Sequence, residues 1–260
     1  MRDVNSYNRI VIKIGSAVLA GSNGLVNHSI LASISEDIAW LLKNDKKVLV
    51  VSSGAISLGR KKIKLSENLT LAESQALAAH GQIELMSAWK KHLNKFSIPI
   101  GQILLTPRDT ELKLSSKNAQ RTVSKLLEAG CLPIINENDS TATDEIKFGD
   151  NDLLASKVAK LIGADLLIVL STVDGLYASV EDVQTRKLSS LIKEVSKITP
   201  KIKKMAGHAS QMGKGGMISK IYAAEICLKN KCAMVITSGK NKKPIRDIGK
   251  RTKATWFIKK

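Results

Sequence analysis

Ile10-Val11-Ile12-Lys13-Ile14-Gly15-Ser16 is the stretch on which the fold turns. Apolar β-branched residues follow one another without a polar alternation. That pattern suits a parallel strand covered on both faces, not a strand with one wet side. Runs of the same kind recur at Val48–Val51, Ile98–Leu105, Leu132–Ile135, Leu166–Leu170 and Ala233–Ile236. Between them lie stripes at helical spacing: Ile30, Ile34, Ile38 and Leu41, then Leu154, Val158 and Leu161, then Ile218, Ile221 and Leu228. Residues 71–95 and 115–129 also read as helices. Strand–helix alternation predicts an α/β fold around a mostly parallel sheet. Residues 172–217 are the least regular and are expected to hold hairpins and loops. The 260 residues can bury a core as one large α/β domain or two smaller ones, and no repeat or linker divides them.

The chain has 41 Lys+Arg against 23 Asp+Glu, a formal charge of +18. Such an excess invites a nucleic-acid partner. The lysines are dispersed, however, with small clusters at Arg60–Lys62, Lys201–Lys204, Lys240–Lys243 and Lys250–Lys260. Only three Phe, three Tyr and three Trp are available to stack on bases. A solvated lysine-rich surface explains the charge better, and nucleic acid is not an expected partner. No apolar run approaches the roughly 20 residues of a membrane helix. Met1-Arg2-Asp3-Val4 lacks the apolar core of a signal peptide, so a cytoplasmic protein is expected. Cys131, Cys227 and Cys232 read as buried thiols. His28, His80, His92 and His208 show no metal-ligand spacing.

Four segments carry the polar chemistry. In the first, Lys13 interrupts an apolar strand. A buried ammonium costs several kcal/mol unless anions face it, although an edge strand could turn it to water. Gly15 would let a phosphate approach the backbone. The second, Ser52-Ser53-Gly54-Ala55, joins a buried strand to a short helix and offers N–H groups and hydroxyls to an anion, or simply caps that helix. The third runs from Asn136-Glu137-Asn138-Asp139 to Asp150-Asn151-Asp152, with six carboxylates and one basic residue, Lys147. It is either a solvated loop in which Asp152 caps the next helix or a ligand site at a strand end. The fourth, Gly213-Lys214-Gly215-Gly216-Met217-Ile218-Ser219-Lys220, is a glycine-rich loop entering an amphipathic helix. It matches neither the P-loop nor the dinucleotide fingerprint. Two lysines from opposite ends of the chain, with carboxylates to orient them, suit the charge spread over a phosphoryl group in transfer. No Ser or Cys is paired with a histidine, so direct transfer is preferred.

These motifs, in this order and spacing, resemble the amino acid kinase family from about Ile10 to Phe257, and its glutamate-phosphorylating branch above all. The resemblance implies an αβα sandwich with a mostly parallel central sheet. It implies transfer of a phosphoryl group from ATP, with Mg²⁺ bound mainly through the ATP phosphates, to the γ-carboxylate of L-glutamate, the first step of proline synthesis. Lys13 and Lys220 would contact the phosphates. Asp152 would hold the two lysines, and Asp150 would act beside it. Ser53, Gly54, Asp139 and Asn151 would bind glutamate. Gly15, Ser171, Thr172 and the run Lys214, Gly215, Gly216, Met217, Ile218 and Ser219 would bind the nucleotide together with the lysines. Thr172 stands where the family usually has Asp, Lys214 where it has a small hydroxyl residue, and Lys231 where it has a helix-ending glycine; Asn230 is expected to take the left-handed cap instead. The resemblance further implies one kinase domain over residues 1–260, its N-terminal part for glutamate and its part from about 165 for ATP, without the RNA-binding-like domain many relatives carry. Proline as feedback inhibitor, a homo-oligomer and a glutamyl phosphate reductase partner belong to the same expectation. The alternatives are another acceptor on the same fold, or a non-catalytic RNA-binding protein built on it.

Overall fold

The computed structural model describes residues 3–21, 24–63, 68–141, 151–185, 187–207, 216–250 and 253–259. The apolar runs form the strands β1 (Arg9–Ile14), β2 (Lys47–Val51), β3 (Ile100–Leu105), β4 (Leu132–Glu137), β5 (Leu166–Ser171) and β7 (Ala233–Ser238). Two short additions, β6 (Glu194–Val195) and β8 (Ala254–Phe257), complete one eight-stranded sheet in the order β3-β4-β2-β1-β5-β7-β8-β6. All neighbouring pairs are parallel except β7–β8. β1 is therefore central, and its lysine is not on an edge.

The helices α1 (Ser16–Leu19), α2 (His28–Lys43), α3 (Ala55–Lys62), α4 (Leu71–Leu93), α5 (Pro107–Glu111), α6 (Lys113–Glu128), α7 (Asn151–Ile162), α8 (Val180–Thr185), α9 (Pro200–Met205) and α10 (Met217–Lys229) flank this sheet. Two cores result. Ile10, Ile12 and Ile14 join Ile34 and Ile38 of α2 and Trp89 of α4 on one face. Val11, Leu49 and Val51 join Val158 of α7 and Ile221 of α10 on the other. Successive strand residues point to opposite faces. Lys13 thus shares its face with Val11 and points toward the α7–α10 layer, whereas Ser52 and Asn136 share theirs with Val50 and Ile134 and point toward α4.

Several boundaries differ from the sequence expectation. β3 begins at Ile100 instead of Ile98, after Ser97 turns the chain at φ 56°. Residues 172–217 contain α8, α9, β6 and an antiparallel bridge between Tyr177 and Leu191. The left-handed position after α10 belongs to Lys231, at φ 58°, not to Asn230, at φ −105°. Asn230 instead donates its amide to the Ile226 carbonyl at 2.7 Å. Cys227 and Cys232 are buried and free, while Cys131 is only half-buried. Among the described residues, no helix is long and apolar enough to cross a membrane.

Candidate active site

The carboxyl ends of β1, β2, β4 and β5 deliver Lys13–Ser16, Ser52–Ala55, Asn136–Asp139 and Ser171–Thr172 to one side of the sheet. From β1 the chain crosses toward β2, and from β5 toward β7, so a crevice opens between β1 and β5. Open α/β sheets bind ligands at such a switch point. A cleft of about 330 Å³ lies there, lined among others by Lys13, Gly15, Ser53, Asn151, Thr172 and Lys220.

Its floor is an ion triad. Lys13 Nζ lies 2.6 Å from Asp152 Oδ1, and Lys220 Nζ lies 2.8 Å from Asp152 Oδ2. Asp152 is fully buried, and each lysine is about 5 % exposed or less. Burial alone would push the Asp152 carboxyl up, but the two ammonium charges and their hydrogen bonds outweigh it and hold the group well below the usual carboxylate range. Asp152 is the second residue of α7, where a negative charge also suits the helix N-terminus. It does not act as the helix cap. Lys220 stands on the first turn of α10, and Ser219 Oγ lies 3.3 Å from Asp152 Oδ2. Residues 13, 152 and 220 thus meet as a strand end and two helix starts.

The backbone around them is open. Gly15 has ordinary extended geometry, φ −70° and ψ 150°. A Cβ added there would sit 3.9 Å from Lys13 Nζ and 3.6 Å from the Leu170 carbonyl. The glycine therefore clears space in front of the lysine without being needed for the turn. Gly54 is different: its φ of 108° is a conformation that side chains resist, and it starts α3. The N-termini of α3, α7 and α10 all reach the cleft, and their partial positive charges favour anions.

A chain of amides fixes the side of the cleft next to β2 and β4. The backbone N–H of Glu137 can only donate, and it donates to Asn136 Oδ1 at 2.9 Å. Asn136 Nδ2 must then be the donor to Gln82 Oε1, at 2.8 Å. Asn151 Nδ2 donates to the Ser52 carbonyl and to Asn136 Oδ1, each at 2.7 Å, with Ser53 Oγ at 2.9 Å. These pinned partners turn the Asn151 oxygen outward as an acceptor. Trp89 Nε1 donates to Ser52 Oγ at 3.1 Å from beneath.

Of the residues singled out from sequence, Lys13, Gly15, Ser53, Gly54, Asp139, Asn151, Ser171, Thr172 and Lys220 line this one cleft, with Asp152 at its base. Gly216, Met217, Ile218 and Ser219 form the start of α10, where Met217 packs against the core. Asp150, Lys214 and Gly215 lie outside the described residues, as do Asp144 and Glu145. Sequence reasoning overlooked Gln82, Trp89 and the burial of Glu137, which is 7 % exposed. A signal existed for the first: Ala78, Gln82, Leu85 and Trp89 share one helical stripe, so Gln82 is a polar residue on a core-facing row. No group of three or more His, Cys, Asp or Glu suited to a metal occurs among the described residues.

The model of the amino acid kinase family matches residues 8–238. The chain is similar to the glutamate 5-kinase of Allorhizobium ampelinum, 48% identical over 259 residues that cover 99% of this chain and 66% of the relative. It is similar to that of Pelagibacter ubique, 48% identical over 253 residues, 96% of this chain and 68% of the relative. With that of Agrobacterium fabrum it shares 47% over 254 residues, 97% and 65% of the two chains. It spans about two thirds of the length of these relatives. Among solved structures, the UMP kinase from Ureaplasma parvum superposes with a TM-score of 0.61 at 17% identity, covering 99% of this chain and all of the other, a likeness of fold.

Proposed function

The chain belongs to the amino acid kinase family, and on that premise we propose that its cleft transfers the γ-phosphoryl group of ATP to the γ-carboxylate of L-glutamate, giving ADP and γ-glutamyl phosphate. The observation that carries this reading is Asp152 holding Lys13 and Lys220 side by side in a buried cleft floor. Two lysines and one acid total +1 there. A site out of water makes such a charge strongly attractive to an anion.

The chemistry asks little covalent work of the protein. A γ-carboxylate oxygen attacks the γ-phosphorus as the bond to the β-phosphate bridging oxygen breaks. The nucleophile is already ionised, so no general base is needed. Lys13 and Lys220 meet the negative charge on the phosphoryl oxygens, and Asp152 pairs with both ammonium groups and aims them. Gly15 leaves room for the phosphate in front of Lys13. Mg²⁺, carried on the ATP phosphates, would offset their remaining charge. Ser53, Asp139 and the outward oxygen of Asn151 sit on the N-terminal side, where glutamate would lie with its ammonium toward the acids. Ser171, Thr172 and α10 form the side for the nucleotide, so the chain divides near residue 165 into an acceptor half and a nucleotide half. Asp150 would stand next to Asn151 in the same machinery.

The test is ATP-dependent formation of γ-glutamyl hydroxamate from glutamate, hydroxylamine and Mg²⁺, with ADP release measured in parallel for aspartate, acetylglutamate, carbamate and UMP. Hydroxamate is expected with glutamate, and less of it when proline is added as feedback inhibitor. Turnover with another acceptor and none with glutamate would overturn the assignment.

A further inference from the structure

Gln82 occupies an unusual position. It lies on α4 one residue after Gly81, where α4 crosses α3 at very short range: a Cβ at Gly81 would come within 1.8 Å of the Ala55 carbonyl oxygen. That close crossing sets α4 directly under the acceptor side of the cleft. Gln82 is 9 % exposed. Its Oε1 is committed to Asn136 Nδ2, because Asn136 Oδ1 is pinned by the Glu137 N–H. Its Nε2 is therefore fixed in the opposite direction, and it has no hydrogen-bond partner among the described residues. A buried amide donor left unmade costs about 1–3 kcal/mol.

Gln82 lines a recess of about 280 Å³ that adjoins the cleft and shares Ala55, Glu137 and Asp139 with it, its Nε2 shielded just beneath the surface. Glu137 and Asp139 supply negative charge for an ammonium. No lysine or arginine lines the recess among the described residues. An α-carboxylate lying in this recess would be met by neutral donors, and the buried one without a partner among the described residues is Gln82 Nε2. We infer that Gln82 recognises the α-carboxylate of the acceptor through Nε2 while its Oε1 positions Asn136 and, through it, Asn151. This rests on the glutamate reading above. It makes Gln82 a specificity-determining residue that no motif marks.

Gln82→Glu separates the two ends of the side chain. It keeps an oxygen for Asn136 and replaces the donor with a negative charge. The wild type is first shown to form γ-glutamyl hydroxamate; if it does not, the glutamate reading fails and not this one alone. In Q82E the KM for glutamate should then rise by about ten-fold or more, while the KM for ATP stays near wild type. Inhibition by 4-aminobutyrate, which lacks the α-carboxylate, should not weaken in step with glutamate. A glutamate KM within about two-fold of wild type, or parallel weakening of glutamate and 4-aminobutyrate, overturns the inference. Should Q82E melt early, Gln82→Met, uncharged and of similar length, carries the same KM comparison. It should also lower kcat, because Asn136 loses its acceptor.

Discussion

At the residue scale the cleft is defined by charges that would be unfavourable anywhere else. A buried ion pair is weak evidence for stability, since desolvation offsets most of the attraction. Here two cations share one anion, so the three groups carry an unbalanced positive charge. Such an arrangement makes sense where an anion arrives during function. Gly15 gives the sharpest test of where it arrives. Its φ and ψ suit alanine, and the added Cβ would meet its neighbours only at ordinary contact distances. Gly15→Ala should leave the melting temperature unchanged or slightly raised, because alanine reduces the freedom of the unfolded chain. Yet that methyl group stands 3.9 Å from Lys13 Nζ, where the phosphate is proposed to approach. The KM for ATP should rise roughly ten-fold, equivalent to about 1.4 kcal/mol. An unaltered ATP requirement would mean that the glycine serves neither fold nor phosphate.

At the element scale, the crossing of α3 and α4 determines how well the proposed acceptor side is built. Gly59 and Gly81 face the other helix's backbone, with the hypothetical Cβ atoms 2.1 Å from the Leu77 carbonyl oxygen and 1.8 Å from that of Ala55. Backbone cannot yield as a side-chain tip does. Gly81→Ala gains about 1 kcal/mol of helix propensity. Forcing the two helices apart should cost more, leaving a net loss of about 2–3 kcal/mol. Differential scanning calorimetry should show melting roughly 5–10 °C lower, together with a raised glutamate KM as Gln82 and Trp89 shift. A variant that melts at or above wild type would show that the crossing has slack. This contact also marks the limit of the sequence reading. The six long strands were legible as unbroken apolar runs, and the five long helices as longer stretches with apolar residues at helical spacing. The short strand β8, Ala254–Phe257, was not: four residues beside a lysine-rich terminus carry no period, and only pairing with β7 makes them a strand. Gly59 and Gly81 carry no signal of this kind in the sequence; only the backbone of the neighbouring helix explains them.

At the scale of the whole molecule, the site joins residues 13, 52–54, 136–139, 151–152 and 220, so its integrity and that of the fold are linked. The types and loops of these residues could be read from the sequence. That Asp152 bridges two lysines followed only from the family resemblance, because by itself a carboxylate in a first helical turn looks the same as a cap. The link predicts a pH dependence with a definite sign. The native pKa of Asp152 is depressed: burial opposes ionisation, but the charges of Lys13 and Lys220 prevail. Its ordinary value in an unfolded chain is about 3.9. The unfolded state therefore takes up the proton first as pH falls, and the stabilisation is complete above about pH 4 and lost progressively below it. Asp37 acts in the opposite sense. Burial raises its native pKa, despite hydrogen bonds from the Ile245 and Arg246 N–H groups, so ionising it destabilises the fold as pH rises through the raised value. Comparing the wild type with Asp152→Asn removes Asp37 from the difference, since both proteins retain it. At pH 6 the variant leaves two buried lysines without their anion and should be less stable by about 3–5 kcal/mol. Below about pH 4 the wild-type carboxylate is itself being neutralised on unfolding, and the two stability curves should converge. Urea unfolding of both proteins from pH 7 to pH 3 checks this. A gap that stays constant over that range would mean that Asp152 supports the fold by its shape alone, and that the two lysines do not depend on its charge.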